Sequence, residues 1–134
     1  YAELKTRLFI LTRLDEELTE GGATYDRSMC TIEHILPQNP EQGSQWLLWF
    51  PDEQERADWT GRLANLVLLS GRKNSEAQNF EFDVKKNTYF QSLKTKSTPF
   101  ALTTDVFREA EWTPAVLAKR QERLLGVLAQ AWRL

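Results

Sequence analysis

Thr31-Ile-Glu-His-Ile-Leu-Pro-Gln-Asn-Pro40 is the stretch on which the reading of this chain turns. It holds the only histidine of 134 residues, His34, with the carboxylate of Glu33 directly beside it. The preceding Ser28-Met-Cys-Thr-Ile32 is short and rich in strand formers. Pro37 and Pro40 then force a loop. The stretch therefore predicts a short strand that ends close to a histidine. A second apolar run of strand length, Asn65-Leu-Val-Leu-Leu69, is followed by the turn signal Ser70-Gly71. Between the two strands lies an insertion carrying Trp46, Trp49, Phe50 and Trp59. It reads as one or two short helices over Gln45 to Trp59, broken near Pro51.

The rest of the chain reads as helix. Leu4, Leu8, Leu11, Leu14 or Asp15, and Leu18 recur at three- and four-residue spacing, which predicts an amphipathic helix over residues 2–19, ended by Gly21-Gly22. A helix is expected over Asn79 to Lys94, anchored by Phe82, Tyr89 and Leu93 and broken by Ser97-Thr-Pro99. A short one is expected over Thr103 to Ala110. Thr113-Pro114 is an N-cap followed by proline at the first helical position. It opens a last helix through Val116, Leu117, Leu124, Val127, Leu128, Ala131 and Trp132. The predicted class is α+β, mostly helical, with a small two-stranded hairpin. No repeat or low-complexity segment interrupts the chain, and its length suits one domain over residues 1–134.

Composition narrows the function. Hydrophobic residues make up 41% and aromatic residues 11%, with five tryptophans, enough for a real core. One cysteine, Cys30, makes no intrachain disulfide, which fits a reducing cytoplasm. One Cys and one His cannot supply a full zinc set of the Cys/His type. There is no apolar run of membrane-spanning length and no signal peptide pattern. The chain begins without methionine and reads as a piece of something longer. The net charge of −2 argues against tight nonspecific binding to nucleic acid, yet the charge is uneven. Residues 62–96 carry seven basic and three acidic residues, or +4, and the remainder ten and sixteen, or −6. The usual reading of such a segment is a solvated helix face; the sharper one is a surface that faces phosphate.

A neutral imidazole with an unperturbed pKa of about 6.5 is a competent base near neutral pH. At the end of a strand His34 can project into a cleft. The second strand opens with Asn65, and Asn74 follows nine residues later, ahead of the helical region with Lys85 and Lys86. A hard cation such as magnesium takes carboxylate and amide oxygens. Glu33 and Asn74 provide one of each, which leaves the histidine free to act on water. Neighbours in a regular strand point to opposite faces. Glu33 and His34 can therefore share a site only if the strand ends or bulges between them.

These residues carry a resemblance. Glu-His-Ile-Leu-Pro-Gln at 33–38, Leu63-Ala-Asn-Leu-Val-Leu-Leu69 and Lys73-Asn74 resemble the HNH (His-Me finger) nucleases. Adding Phe82-x-x-Lys85-Lys86-x-x-Tyr89 and the closing helix with Trp112, Arg120, Gln121, Leu124 and Trp132, the chain looks like the C-terminal nuclease domain of GmrSD-type restriction proteins. The resemblance implies a small ββα-metal hairpin-helix core embedded among flanking helices. It implies His34 as general base, Glu33 and Asn74 as ligands of one divalent metal ion, and Asn65 as the brace of the turn that fixes His34. It implies phosphate contacts from Arg72, Lys73, Lys85 or Lys86. The substrate would be DNA, including modified phage DNA, and the whole protein would carry an N-terminal ParB-like, nucleotide-hydrolysing domain. Asn74 stands where many HNH enzymes have histidine. An amide favours Mg2+ or Mn2+ over zinc or nickel.

The bland readings are specific too. A lone histidine beside apolar residues is more often structural, and Asn74 could be a helix N-cap. Cys30 reads as a small buried hydrophobe and the tryptophans as core. The alternative function is a catalytically silent module of the same fold that binds nucleic acid or protein. The ordered set Glu33, His34, Asn65 and Asn74 favours the enzyme.

Overall fold

The computed structural model describes residues 2–19, 30–70, 80–89 and 100–132. Helix α1 spans Ala2–Leu18. Strand β1 spans Cys30–His34, and strand β2 spans Leu66–Ser70. Between them lie α2 (Gln45–Trp49) and α3 (Glu53–Thr60), then a tight turn over Leu63–Asn65. After β2 come α4 (Phe82–Val84), which continues as a wider π-type turn over Lys85–Tyr89, and α5 (Ala101–Thr104), which tightens over Asp105–Arg108. Helix α6 spans Pro114–Trp132. The architecture is mostly helical with one small antiparallel sheet, an α+β fold.

The two strands pair Cys30 with Ser70, Thr31 with Leu69, Ile32 with Leu68, Glu33 with Val67 and His34 with Leu66. β1 thus ends two residues later than the sequence predicted, and Ser28 and Met29 lie outside the described residues. The apolar run of β2 continues to offer it partners up to His34. The strands are antiparallel, but residues 35–65 make a helical excursion that leaves and returns at the same end of the sheet.

Cross-strand partners share a face, so the sheet separates two cores. Val67 and Leu69 face Ile35, Leu36, Trp46, Phe50, Phe82, Val106, Trp112 and Leu117. Leu66 and Leu68 face Leu11, Leu14, Phe100, Leu102, Leu124 and Leu128 on the side of α1. α6 contributes to both. Trp46 and Trp112 are fully buried, which places them in the core. Phe82 lies between them, its ring centroid 6.1 Å from Trp46 and 5.4 Å from Trp112. Each such aromatic contact adds roughly 0.5–1.5 kcal/mol beyond its area.

Leu14 and Asp15, alternatives for one core position in the sequence, are both fully buried. The Asp15 carboxylate accepts the Leu102 N–H at 3.0 Å, at the start of α5. A helix's first amides lack partners within the helix, so a carboxylate is stabilised there. α5 begins before the expected Thr103 for the same reason. The Thr113 cap of α6 is as read: its hydroxyl accepts from Val116 N at 3.4 Å. The part of the predicted 79–94 helix beyond Tyr89, with Leu93 and Lys94, lies outside the described residues. So do Gly21-Gly22, Gly71 and the break at Ser97 to Pro99.

The tryptophan-bearing insertion docks on α4 through reciprocal contacts. Gln45 Oε1 accepts from Phe82 N at 2.6 Å, and the Glu81 carboxylate accepts from Gln45 N at 3.2 Å. Trp46 Nε1 donates to Phe80 O at 3.0 Å. The starts of two short helices thereby cap each other, and this fixes where the following residue of interest, Lys85, enters the core.

Candidate active site at the end of the first strand

The chain bends immediately after His34, and a bend in the interior leaves backbone groups without strand partners. Two side chains satisfy them. Asn65 is fully buried. Its Oδ1 accepts from Leu36 N at 2.7 Å and from Trp112 Nε1 at 3.0 Å. Its Nδ2 donates to Leu36 O and to Thr60 O, each at 3.0 Å. Its own carbonyl accepts from Ile35 N at 3.0 Å. Asn65 therefore ties both ends of the excursion together at the point where His34 ends the strand.

Lys85 supplies the rest. Its side chain is fully buried, and its ammonium donates to His34 O and Ile35 O at 2.9 Å each. It also meets Glu33 Oε2 at 3.2 Å, and Glu33 is only 3% exposed. Burial pushes the Glu33 carboxyl above its ordinary range, against the pull of the ammonium and of a hydrogen bond to the His34 backbone. Burial likewise pushes Lys85 below its ordinary value, against the pull of Glu33. A buried ion pair of this kind adds little net stability, but removing one partner leaves a costly orphan charge.

His34 is partly exposed and lies on the other face, opposite Leu66 and toward α1. Its imidazole is held below its ordinary 6.5, first by desolvation, then by the positive charges of Arg7 and Lys85. It stays neutral in the pH range where a base is needed. Arg7 follows α1's own periodicity: it lies four residues before the buried Leu11, on the helix face toward the sheet. Sequence reasoning missed it. The signal that could have found it is that spacing.

The structure thus brings Glu33, His34, Asn65 and Lys85 to one place, but regular pairing through His34 turns the Glu33 and His34 side chains to opposite faces of the sheet. Lys85, expected to reach phosphate, lies inside with no exposed surface. Lys86 has a 15% exposed side chain; its ammonium donates to Glu109 O at 2.7 Å and lies 4.6 Å from the Phe82 ring centroid. Arg72, Lys73 and Asn74 lie outside the described residues. Among the described residues no three His, Cys, Asp or Glu side chains gather as a metal-binding group. Glu33 as placed is buried, spends its carboxylate on the Lys85 ammonium and faces away from His34, so it does not by itself form a metal site shared with that residue.

The frame is mostly helical and presents a partly exposed histidine at the end of a braced strand. Residues 1–127 match the family described as GmrSD restriction endonucleases, C-terminal domain, and the chain belongs to that family. It is a GmrSD-type C-terminal nuclease domain. No curated protein matches it. Among the described residues no helix is long and apolar enough to cross a membrane.

Proposed function

We propose that this chain is a metal-dependent DNA endonuclease domain of the HNH type, in which β1, β2 and the α4 region form the ββα-metal core. The observation that carries the proposal is the partly exposed His34, kept neutral by its surroundings and set at a strand end that Asn65 and Lys85 hold. His34 takes the proton from an attacking water through its imidazole. Such general-base assistance contributes about 10²- to 10⁴-fold. Asn65 braces the turn and so fixes the base. Glu33 and Asn74 would hold one divalent ion, Mg2+ or Mn2+, which requires Glu33 to leave the Lys85 ammonium and turn toward the His34 side of the strand end. When bound, that ion supplies Lewis-acid stabilisation of charge on the phosphate and the leaving oxygen. Arg72 and Lys73 would contact flanking phosphates, with Lys86 as a further candidate at the edge of α4. The family suggests a place in restriction of phage DNA, including modified DNA, beside an N-terminal ParB-like nucleotide-hydrolysing domain in the cytoplasm.

Nicking of supercoiled plasmid tests this. The expected result is nicking with magnesium or manganese that is abolished by His34→Ala and by a chelator. A His34→Ala protein that cuts at the wild-type rate refutes the general-base role. The net charge of −2 favours a second reading, a catalytically silent binding module. That reading gains if neither this domain nor the full-length protein cuts.

A further inference from the structure

We infer that Lys85 is a positioning residue for His34: its buried ammonium grips the carbonyls of His34 and Ile35 and the Glu33 carboxylate, and so sets the general base from the opposite face of the sheet. The inference rests on the nuclease reading of His34 but assigns to Lys85 a role that a phosphate contact does not have. Between His34 and Leu36, two side chains take most of the backbone polar groups. Lys85 takes the carbonyls of 34 and 35, and the Asn65 side chain takes the amide and carbonyl of Leu36. The remaining amide, of Ile35, goes to the Asn65 carbonyl.

Successive carbonyls of an extended strand point in opposite directions, so one ammonium can bind both only where the chain bends. Lys85 is thus specific for the bent form of the segment. In that form the His34 side chain leaves the strand on the face of Leu66, the side of α1. An ammonium suits this task because it is a compact charge with three donors, and the site presents three acceptors. The position of Lys85 is itself fixed from several sides. Its amide donates to Glu81 O at 3.0 Å, its ammonium lies 5.7 Å from the centroid of the Trp46 ring, and the Gln45–Phe82 contact anchors the turn before it.

The experiment compares wild type with Lys85→Met, using steady-state cleavage and the histidine NMR signal. The chain has one histidine, so the imidazole signal needs no assignment. The expected result in folded Lys85→Met is a kcat lower by on the order of 100-fold with KM unchanged. The logarithmic salt slope of binding stays as in wild type. The cross-relaxation contacts of the His34 ring with α1 side chains change, which loss of the Lys85 charge alone would not produce, while the indole signals of Trp59 and Trp132 stay in place, which general loosening of the core would not allow. A raised KM with unchanged kcat, or a salt slope reduced by about one, would make Lys85 a phosphate contact and overturn the inference. Unchanged contacts of the His34 ring with α1 overturn it as well.

If Lys85→Met does not fold, the wild-type lysine ammonium signals decide. Titration with a short DNA duplex is expected to leave the Lys85 ammonium where it is; movement as a contact residue overturns the inference. His34→Ala in the cleavage assay judges the nuclease reading separately, and the NMR comparison holds even if the wild-type domain does not cut.

Discussion

Asn65 and Leu36 pair through both edges of the asparagine amide, Oδ1 to Leu36 N at 2.7 Å and Nδ2 to Leu36 O at 3.0 Å. This is the pairing a strand neighbour would make, supplied by a side chain where the sheet has ended. Replacing Asn65 by alanine leaves buried groups on Leu36, Thr60 and Trp112 unpaired. The expected loss is roughly 3 kcal/mol in urea denaturation, since each orphaned buried group costs about 1–3 kcal/mol and the costs are not additive. A loss under about 0.5 kcal/mol would show that water or a relaxed loop takes over the amide's role.

The pH dependence follows from His34. Its folded pKa lies below 6.5, so the neutral base persists below that pH and the acid limb of kcat/KM is expected below 6.5. Arg7→Gln removes one of the positive charges responsible and moves that limb upward. Stability has the matching sign: the unfolded chain binds the proton more readily, so folding loses stability as pH falls from 6.5 through the folded pKa. An acid limb above 6.5 in wild type would contradict the burial of the ring.

Salt separates the lysines and arginines. Phosphate contacts weaken binding with a slope set by their number, by about one for each contact. Arg72→Gln and Lys73→Gln are each expected to reduce the slope of log affinity against log salt. Lys86→Met is expected to cost about 1 kcal/mol of stability through the lost bond to Glu109 O, with a smaller effect on the slope. A slope unchanged by both Arg72→Gln and Lys73→Gln would remove that segment from the DNA contact.

Arg120 offers a purely structural counterpart. It is 7% exposed and donates to Ala64 O at 2.9 Å and Leu102 O at 3.2 Å, and burial pushes its guanidinium down to about 10. Arg120→Met is expected to destabilise by roughly 3 kcal/mol, because two buried carbonyls lose a charged donor. Thermal unfolding measures it. A melting temperature within about 2 °C of wild type would place water at those carbonyls.

Much of the frame was legible because it is periodic. Leu11 and Leu14 declare α1, Pro114 opens α6, and the unbroken apolar run from Leu66 to Leu69, buried throughout, follows from a strand covered on both faces. The order Glu33, His34, Asn65 pointed to one strand end, where the three residues are found, with the Glu33 and His34 side chains on opposite faces of the sheet. The inward turn of Lys85 was not legible. A charged residue between Val84 and Lys86 looks like a solvated one until the acceptors it reaches, at 33 to 35, are known to be without partners. Nor does local sequence show that Asp15 would serve a helix start 87 residues away. Both are long-range hydrogen-bond demands, and hydrophobic periodicity contains no information about them.

The course of α6 has a consequence of its own. The helix places Leu117 in one core and Leu124 and Leu128 in the other, and Arg120 between them bonds to Ala64 on one side and Leu102 on the other. Loss of this helix would strip contacts from both cores at once. Two hydrophobic clusters that would otherwise behave as separate melting units are joined into a single cooperative transition. In calorimetry the measured heat should then equal the van't Hoff heat, although the interior is divided by a sheet.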